Sequence, residues 1–540
     1  MPIVPKIPPR ALLLALLSSG LQIVIFPKPG LYFLCWIALV PLLYALLRGR
    51  GGEGEVLDSE GRSLRQFTPK QGFVLAWISG VAWYLGTCYW IYSVMHGFGN
   101  LGPAPAALIM LGYCLIMGLH HGVFGLLVVL SARRSTLGNS RPLLLAPVFW
   151  TALEFFRERV VGVPWNPLGN AQVDNIPFTR IAEVTGVYGL SFAIMLVNCA
   201  FVAGLLLYGR RRTNLLISAL AAAVTLQIGA FAKPEPFPAN RQAVMVQQNV
   251  PVLDNADWTP AFFDRTVAEL SQISVQASPA NPPGSPGLII WPESPTPFFV
   301  NDANLRRRLA ALAQQTNSYL IVGSLGRTEV HGPGQQPQLL NSAMVIGPQG
   351  NLLGQYDKIH LVPFGEYIPM QSLLFFATKL TREVGDFARG TERKVFDLNG
   401  VKAGIFICYE SVFPGEIHQF AGNGAEVFVN ISNDGWYGET SAPFQHLDMS
   451  RMRAIENHRW LLLATNSGTT AAIDPLGRVV KKAERNVRTA LVAPFAIDTE
   501  STFYSRYGDV FAWLCVIISL LMLFVRFRIS ARTTLEARAT

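Results

Sequence analysis

The sequence predicts a bundle of eight transmembrane α-helices joined to one α/β domain. Hydrophobic residues make up 50% of the 540 residues and charged residues only 15%, which is too little charge to cover a soluble protein of this size. Eight apolar segments have about the 20-residue length of a membrane span. One long segment, 235–505, has a soluble composition. This balance excludes an intrinsically disordered chain, and six cysteines are too few for a disulfide scaffold.

Seven apolar segments precede the soluble segment and one follows it. This order predicts a membrane domain at 1–234, a soluble domain at 235–505, and an eighth span with a tail at 506–540. No small-residue cleavage site separates the first two apolar segments, so the first is predicted to be a retained span rather than a signal peptide. The predicted spans are 10–27, 30–48, 72–95, 102–131, 142–157, 181–209, 213–232 and 509–527.

Lys and Arg are concentrated in the segments on one side of these spans, including 210–212 and 526–538. The positive-inside rule therefore places both termini in the cytoplasm and 235–505 outside it. The net charge of +9 partly reflects this bias. No basic stripe interleaved with aromatic residues occurs in the soluble segment, so no nucleic-acid partner is expected. Near the end of the fifth span, Glu154 and Arg157 either form a helix-end ion pair, which we favour, or line a lipid path.

Short β-rich runs recur through 235–505, and their nearly continuous hydrophobicity is typical of strands buried on both faces. Helical patterns at 264–277, 304–316 and 444–460 separate some of them, which indicates helices that cover a sheet. The predicted strands are 243–249, 287–294, 319–325, 342–348, 402–410, 425–432 and 461–468.

Cys408 is the only cysteine outside the predicted spans, and it ends a strand-like run. Strand ends are where open α/β folds place their sites, so Cys408 is either a nucleophile or a structural thiol. Glu293 and Lys358 also follow strand-like runs. A carboxylate can take the thiol proton, and an ammonium can lower the thiol pKa and stabilise a tetrahedral oxyanion.

The trio of Glu293 in WPES, Lys358 in YDKIHLVPFGEY and Cys408 in ICYES resembles the Glu-Lys-Cys triad of the nitrilase, or carbon–nitrogen hydrolase, superfamily. With seven spans before such a domain and one after it, the chain resembles the apolipoprotein N-acyltransferase family along essentially its whole length. The resemblance implies an αββα sandwich for the soluble domain. Supporting stretches are VPWNPLGN (163–170), NVPVLDNADW (249–258), FGEYIP (364–369), NISNDGWYG (430–438), QHLDMSRMRAIENHR (445–459) and TNSGTTAAIDPLG (465–477).

The resemblance also implies a role for each site residue. Cys408 is the nucleophile that accepts the acyl chain, Glu293 the general base and acid, and Lys358 the oxyanion stabiliser. The remaining residues are expected to support the triad or to contact substrate: Glu366, Tyr409, Glu410, Trp258, Trp436 and Tyr437.

The implied reaction moves the sn-1 acyl chain of a phospholipid, such as phosphatidylethanolamine, onto Cys408. A second step passes it to the α-amine of an S-diacylglyceryl-cysteine lipoprotein. The implied location is the bacterial inner membrane, with the catalytic domain on the periplasmic side. No P-loop, Rossmann or zinc-ligand pattern is present, so no cofactor or metal is expected, and no obligate protein partner is evident.

Three other functions are considered from the sequence, and one of them, an inactive interaction platform, is disfavoured by the intact trio of Glu293, Lys358 and Cys408. A membrane-tethered amidase or nitrilase would use the same triad, although seven spans exceed what a tether needs. A transporter with a ligand-binding outer domain would show paired repeats and discontinuous helices, and no clear internal repeat occurs.

Overall fold

The computed structural model describes residues 6–48, 55–57, 63–65, 67–99, 101–132, 140–206, 209–251, 259–281, 284–293, 298–329, 336–367 and 387–539. It divides into two compact units. The first comprises Met1–Ile91, Ala107–Ala232 and Asp509–Thr540. The second comprises Tyr92–Ala106 and Lys233–Gly508.

Most helices before residue 230, and the first part of the C-terminal helix Val510–Ala539, overlap the apolar segments. Two short strands, β1 (Glu55–Leu57) and β2 (Ser63–Arg65), pair antiparallel. In chain order the helices are α1 (Pro9–Val24), α2 (Val40–Arg48), α3 (Pro69–Thr87), α4 (Trp90–Gly97), α5 (Pro103–Met117), α6 (Leu119–Ala132), α7 (Ser140–Phe156), α8 (Ile176–Thr179), α9 (Ala182–Thr185), α10 (Val187–Leu206) and α11 (Gly209–Ile228).

The prediction of eight spans is not confirmed. Within the described residues, three helices are long and apolar enough to cross a membrane, namely Pro103–Ala132, Val187–Leu206 and Arg210–Phe231. Helices α3 and α4 would add a fourth as one span, bent by 54°. Helices Pro9–Val24, Tyr32–Arg48 and Val510–Arg526 are apolar but shorter, because breaks or charged residues end the apolar stretch.

Helices α3 and α6 pack through glycines, which lets the two backbones approach closely. A Cβ atom built on Gly125 would lie 2.4 Å from the Gly72 carbonyl oxygen, and one built on Gly80 would lie 2.7 Å from the Cβ of His121. Ser19 on α1 donates to the Ser79 carbonyl at 2.8 Å. Small residues therefore hold these helices together.

The favoured ion pair between Glu154 and Arg157 is wrong. Both side chains are buried, but each has another partner: Glu154 accepts from the Leu168 backbone N–H at 2.8 Å, and Arg157 donates to the Tyr84 hydroxyl at 2.7 Å. Glu154 also accepts from Trp150 Nε1 at 3.0 Å. The reason is that Leu168 and Tyr84 each bond one atom of these groups, whereas Glu154 Oε2 and Arg157 Nε and Nη2 have no hydrogen-bond partner among the described residues.

The described residues between Lys233 and Gly508 form two six-stranded sheets and five α-helices. One sheet has the order β14-β3-β4-β5-β6-β7 and the other β13-β12-β11-β10-β9-β8. The strands are β3 (Arg241–Gln247), β4 (Gly287–Ile290), β5 (Ser318–Arg327), β6 (Leu339–Ile346), β7 (Leu352–Asp357), β8 (Val395–Asp397), β9 (Lys402–Ile407), β10 (Val427–Ser432), β11 (Trp460–Thr465), β12 (Ala471–Ile473), β13 (Val479–Lys482) and β14 (Thr489–Phe495). The helices are α12 (Pro260–Ala277), α13 (Ala303–Thr316), α14 (Pro414–Gly422), α15 (Ala442–Asn457) and α16 (Phe503–Tyr507).

Successive side chains of a strand point to opposite faces of its sheet. One face packs on the other sheet and the opposite face packs on helices, which gives an αββα sandwich. On β3, Ala243 and Met245 pack toward the other sheet, whereas Val244 and Val246 pack against α12 and α13. Ile417 of α14 and Ala454 of α15 cover the outer face of the second sheet. The four-layer arrangement confirms the expected α/β nitrilase-like class.

The first and last residues of this sandwich domain both lie beside the C-terminal end of α15. Near its start, the ring of Phe237 packs on His458, with ring centroids 5.4 Å apart. Near its end, the Thr502 hydroxyl donates to the Glu456 carbonyl at 2.7 Å, and Arg459 donates to the Glu500 carbonyl. The chain thus enters and leaves the domain at the C-terminal end of α15.

Candidate active site

Three strands end in the residues that the sequence singles out. Glu293 lies three residues after β4, Lys358 directly follows β7, and Cys408 directly follows β9. All three are buried, although charged residues are seldom buried without partners. The structure therefore brings the two predicted charges and the predicted thiol to the carboxyl ends of strands from both sheets.

The ammonium of Lys358 lies between two carboxylates. Its Nζ atom is 3.0 Å from Glu366 Oε1 and 3.4 Å from Glu293 Oε1. Burial lowers the pKa of Lys358, but the two carboxylates outweigh burial, and its net pKa is raised. Lys358 therefore keeps its positive charge across the physiological pH range.

The two carboxylates share a neutral donor as well. Asn341 Nδ2 is 2.7 Å from Glu293 Oε1 and 2.6 Å from Glu366 Oε1. The remaining oxygens accept backbone N–H groups, from Asn433 to Glu293 at 2.9 Å and from Val362 to Glu366 at 2.8 Å. Glu293 is thus held in one orientation by groups from three segments, and Glu366 supports it through Lys358 and Asn341.

Cys408 adopts a backbone conformation that is unfavourable for a residue with a side chain. Its φ is 50°, in the left-handed region, which costs about 1–2 kcal/mol. Burial raises the pKa of its thiol, the charge of Glu293 raises it further, and the charge of Lys358 lowers it in part. The resting thiol is therefore protonated, and it needs a base before it can attack a carbonyl.

Glu410 ties the strand that carries Lys358 to the strand that carries Cys408. It is fully buried, and its acceptor oxygens receive donors from both segments. These donors are the backbone N–H groups of Ile407 (2.7 Å), Ile359 (2.6 Å) and His360 (3.1 Å), and the hydroxyl of Tyr356 (2.8 Å). Its contacts are those of a supporting residue rather than of a substrate ligand.

The predicted aromatic residues differ in position. Tyr409 is buried, with its ring edge-on to Phe413 at 5.1 Å, and Tyr437 is buried near Cys408, since the charge of a Cys408 thiolate acts on its hydroxyl. Trp436 is 44% exposed, and its ring lies 5.7 Å from that of Phe98 in the same unit. Trp258 lies outside the described residues.

Sequence reasoning missed Asn341 and a polar cluster behind Cys408. His446 and Asp434 form this cluster with three serines, Ser411, Ser432 and Ser450. Asp434 and His446 lie within the stretches NISNDGWYG and QHLDMS, which carried the resemblance without an assigned role. The available signal was a group of polar residues at the end of the predicted strand 425–432 and another near the start of the predicted helix 444–460. Within the described part of the chain, no group of three or more His, Cys, Asp or Glu side chains is placed to hold a metal ion.

The arrangement suits acyl transfer through a covalent intermediate. A fixed carboxylate can accept the thiol proton, and a charged ammonium stands ready for the oxyanion. The same arrangement would serve hydrolysis of an amide, so the site geometry alone leaves the substrate open.

Comparisons with known proteins give matches over both units. The carbon–nitrogen hydrolase family matches residues 255–502, and the apolipoprotein N-acyltransferase N-terminal domain family matches residues 18–200. An apolipoprotein N-acyltransferase of Geobacter metallireducens is 34% identical over 529 residues, covering 96% of this chain and 95% of the relative. The enzyme of the same name from Allorhizobium ampelinum is 30% identical and covers 90% of each chain. A solved amidase from Nesterenkonia sp. is 18% identical, with a TM-score of 0.35 over 48% of this chain and 92% of that chain.

Proposed function

This chain belongs to the apolipoprotein N-acyltransferase family, and from that premise we propose that it moves the sn-1 acyl chain of a phospholipid to a lipoprotein. The acceptor is the N-terminal α-amine of an S-diacylglyceryl-cysteine. Phosphatidylethanolamine is the proposed donor. The observation that carries the proposal is the Lys358 ammonium between Glu293 and Glu366, beside a buried thiol, in a chain that also matches the family's N-terminal domain.

The first half-reaction loads the enzyme. Glu293 accepts the thiol proton, and the thiolate of Cys408 attacks the ester carbonyl. Lys358, with the Tyr409 backbone N–H, stabilises the oxyanion. The C–O bond then breaks, Glu293 returns the proton to the leaving alkoxide, and lysophospholipid departs from a Cys408 thioester.

The second half-reaction uses the same groups in the reverse sense. The α-amine attacks the thioester carbonyl, and Glu293 takes the amine proton. The C–S bond breaks, the thiolate regains a proton from Glu293, and an amide is formed. Trp258, Trp436 and Tyr437 are proposed to contact the lipid chains, and Glu366 and Glu410 to hold Glu293, Lys358 and Cys408 in place.

We extend the proposal to topology. Eight spans place both termini in the cytoplasm and the domain at 235–505 in the periplasm, where acyl-CoA is absent and membrane phospholipid is the available acyl source. The functional division is 1–234, 235–505 and 506–540.

Mass spectrometry of the purified protein tests the chemistry. After incubation with phosphatidylethanolamine, we expect one acyl adduct on the peptide that contains Cys408, removable by hydroxylamine. Cys408→Ala should carry none, and Cys515→Ala, which removes a buried cysteine of the C-terminal helix, should be acylated normally. An adduct from a simple amide but none from phospholipid would instead support the amidase.

A further inference from the structure

A buried histidine touches the backbone of the nucleophile. His446, on α15, is 1% exposed, and its Nε2 atom lies 3.1 Å from the carbonyl oxygen of Cys408. The only other side chain near that oxygen within the described residues is Asn430, whose Nδ2 lies at a longer 3.4 Å. His446 therefore provides the shorter hydrogen bond to the residue with the left-handed backbone.

The other ring nitrogen of His446 faces a carboxylate. Nδ1 lies 3.0 Å from Asp434 Oδ1, and Asp434 is itself 3% exposed. A carboxylate and a carbonyl can only accept hydrogen bonds, so both of these contacts are satisfied when both ring nitrogens carry protons. The Ser411 hydroxyl oxygen, 2.8 Å from Nε2, then accepts from the same N–H. Burial lowers the pKa of His446, but Asp434 outweighs burial, and the net pKa is raised. Two carboxylates raise the pKa of His446: Asp434, which lies after strand β10, and Glu293, which lies after strand β4.

The contacts of strand β10 place this pair within the site. Ser432 donates to Asp434 at 3.0 Å, while the next residue, Asn433, donates its backbone N–H to Glu293 at 2.9 Å. Two consecutive residues, Asn433 and Asp434, thus contact the general base and the histidine that holds the nucleophile.

We propose that His446, oriented by Asp434, is a positioning residue that holds the Cys408 carbonyl and so fixes the direction of the thiol toward Glu293. The acyl chain and the leaving group do not contact it. Without the Nε2 donor, the left-handed backbone at Cys408 loses its shorter side-chain hydrogen bond, and the thiol leaves the attack geometry for part of the time.

The inference rests on the proposed function, so the experiment uses two readouts on the full-length protein. The first is the rate of Cys408 acylation by phosphatidylethanolamine. The second is the rate of alkylation by iodoacetamide, which requires no lipid substrate. His446→Ala removes the ring contacts with Cys408, Asp434 and Ser411, and His446→Gln keeps a donor at the position of Nε2. Asn457→Ala removes a buried amide from the same helix that bonds only within the helix, at the Arg453 carbonyl.

For His446→Ala we expect acylation to slow about 10- to 100-fold at saturating lipid, with the KM for lipid within about twofold. Alkylation should become faster, because the thiol leaves its buried position. His446→Gln should recover at least tenfold in acylation, and Asn457→Ala should match the unmodified protein.

Two results would overturn the assignment. One is a His446→Ala protein with unchanged rates of acylation and alkylation. The other is a His446→Gln protein as slow as His446→Ala, although both unfold at the same temperature. If the unmodified protein is alkylated but takes no acyl chain from lipid, the proposed function fails, and the alkylation series still decides the role of His446.

Discussion

The charges around Cys408 act on its thiol in opposite directions. Burial and Glu293 raise the thiol pKa, and Lys358 lowers it in part. Because the net pKa is raised, the thiol is protonated at neutral pH, and its alkylation rate should climb as pH rises into the alkaline range. Glu293 therefore has two separable effects, since its charge disfavours the thiolate while its oxygen accepts the thiol proton.

Glu293→Gln separates these effects. Loss of the negative charge lowers the thiol pKa, so alkylation by iodoacetamide at a fixed alkaline pH should become faster, by about tenfold for each unit of pKa. Acylation by phospholipid should fall by about 10²-fold or more, because the amide cannot take the proton. The exposed Glu484→Gln variant serves as the control. Slower alkylation in Glu293→Gln would contradict the assigned electrostatics.

Asn341 is a second residue with a specific expected effect. Its single amide nitrogen bonds both Glu293 and Glu366, so Asn341→Ala leaves two neighbouring carboxylates with Lys358 as their shared donor. We expect acylation to slow about tenfold or more, measured as the single-turnover rate of thioester formation. Asn281→Ala, which removes an amide bonded to the Thr316 carbonyl, is the matched control. Equal rates in the two variants would exclude a role for Asn341 in the reaction.

At the scale of elements, strands with nearly continuous apolar sequence were predictable and edge strands were not. All seven predicted runs in the second unit lie on observed strands. The missed strands include β7 and β13, whose residues are partly exposed and polar. The edge strand β14 was missed although its sequence, TALVAPF, is mostly apolar. Cys408 was predictable because it is a lone cysteine at a strand end, whereas Asn341 became visible only when β6 and β4 were placed in one sheet.

The segment 387–390 restrains the end of β7, which is directly followed by Lys358. Gly390 donates its backbone N–H to the Lys358 carbonyl at 2.8 Å, and a Cβ atom there would lie 2.0 Å from the Asp357 carbonyl oxygen. Gly390→Ala should therefore displace the end of β7, lowering the free energy of unfolding by about 1–3 kcal/mol and slowing acylation. Thermal unfolding measures the change in stability, and the rate of Cys408 acylation by phosphatidylethanolamine measures the change in activity. Gly400→Ala, where no atom lies within 4 Å of the added Cβ, tests strain without a clash.

The glycine contact between α3 and α6 gives a prediction for the first unit. Gly125→Leu places a large side chain where the Gly72 carbonyl oxygen is 2.4 Å from the Cβ position, so the two helices must separate. We expect a lower unfolding temperature in detergent and less protein in the membrane fraction. Gly112→Leu, on an open face of α5, should have little effect. Equal stability of the two variants would show that this close approach is dispensable.

At the scale of the whole molecule, the proposed topology places one exposed residue of the second unit on the periplasmic side of the membrane and one exposed residue of α11 on the cytoplasmic side. Lys394 in the second unit and Arg211 on α11 are both exposed, and all six native cysteines are buried. In a Cys408→Ala background, Lys394→Cys should react with a membrane-impermeant maleimide in cells whose outer membrane is permeabilised. Arg211→Cys should react only after lysis. The reverse pattern would place the catalytic domain in the cytoplasm.

The shared corner at which the catalytic domain begins and ends has a consequence for how the chain is assembled. Phe237 and Thr502 both lie against the end of α15, so the residues between them form an insertion whose ends nearly meet. Bridging nearby ends costs little loop-closure entropy, and domains of this kind tolerate excision and circular permutation. A short Gly-Ser linker in place of 238–501 should leave a helical remnant that still inserts into the membrane. The excised segment, cyclised head to tail, should fold as a soluble protein and let the chemistry of Cys408 be measured free of detergent.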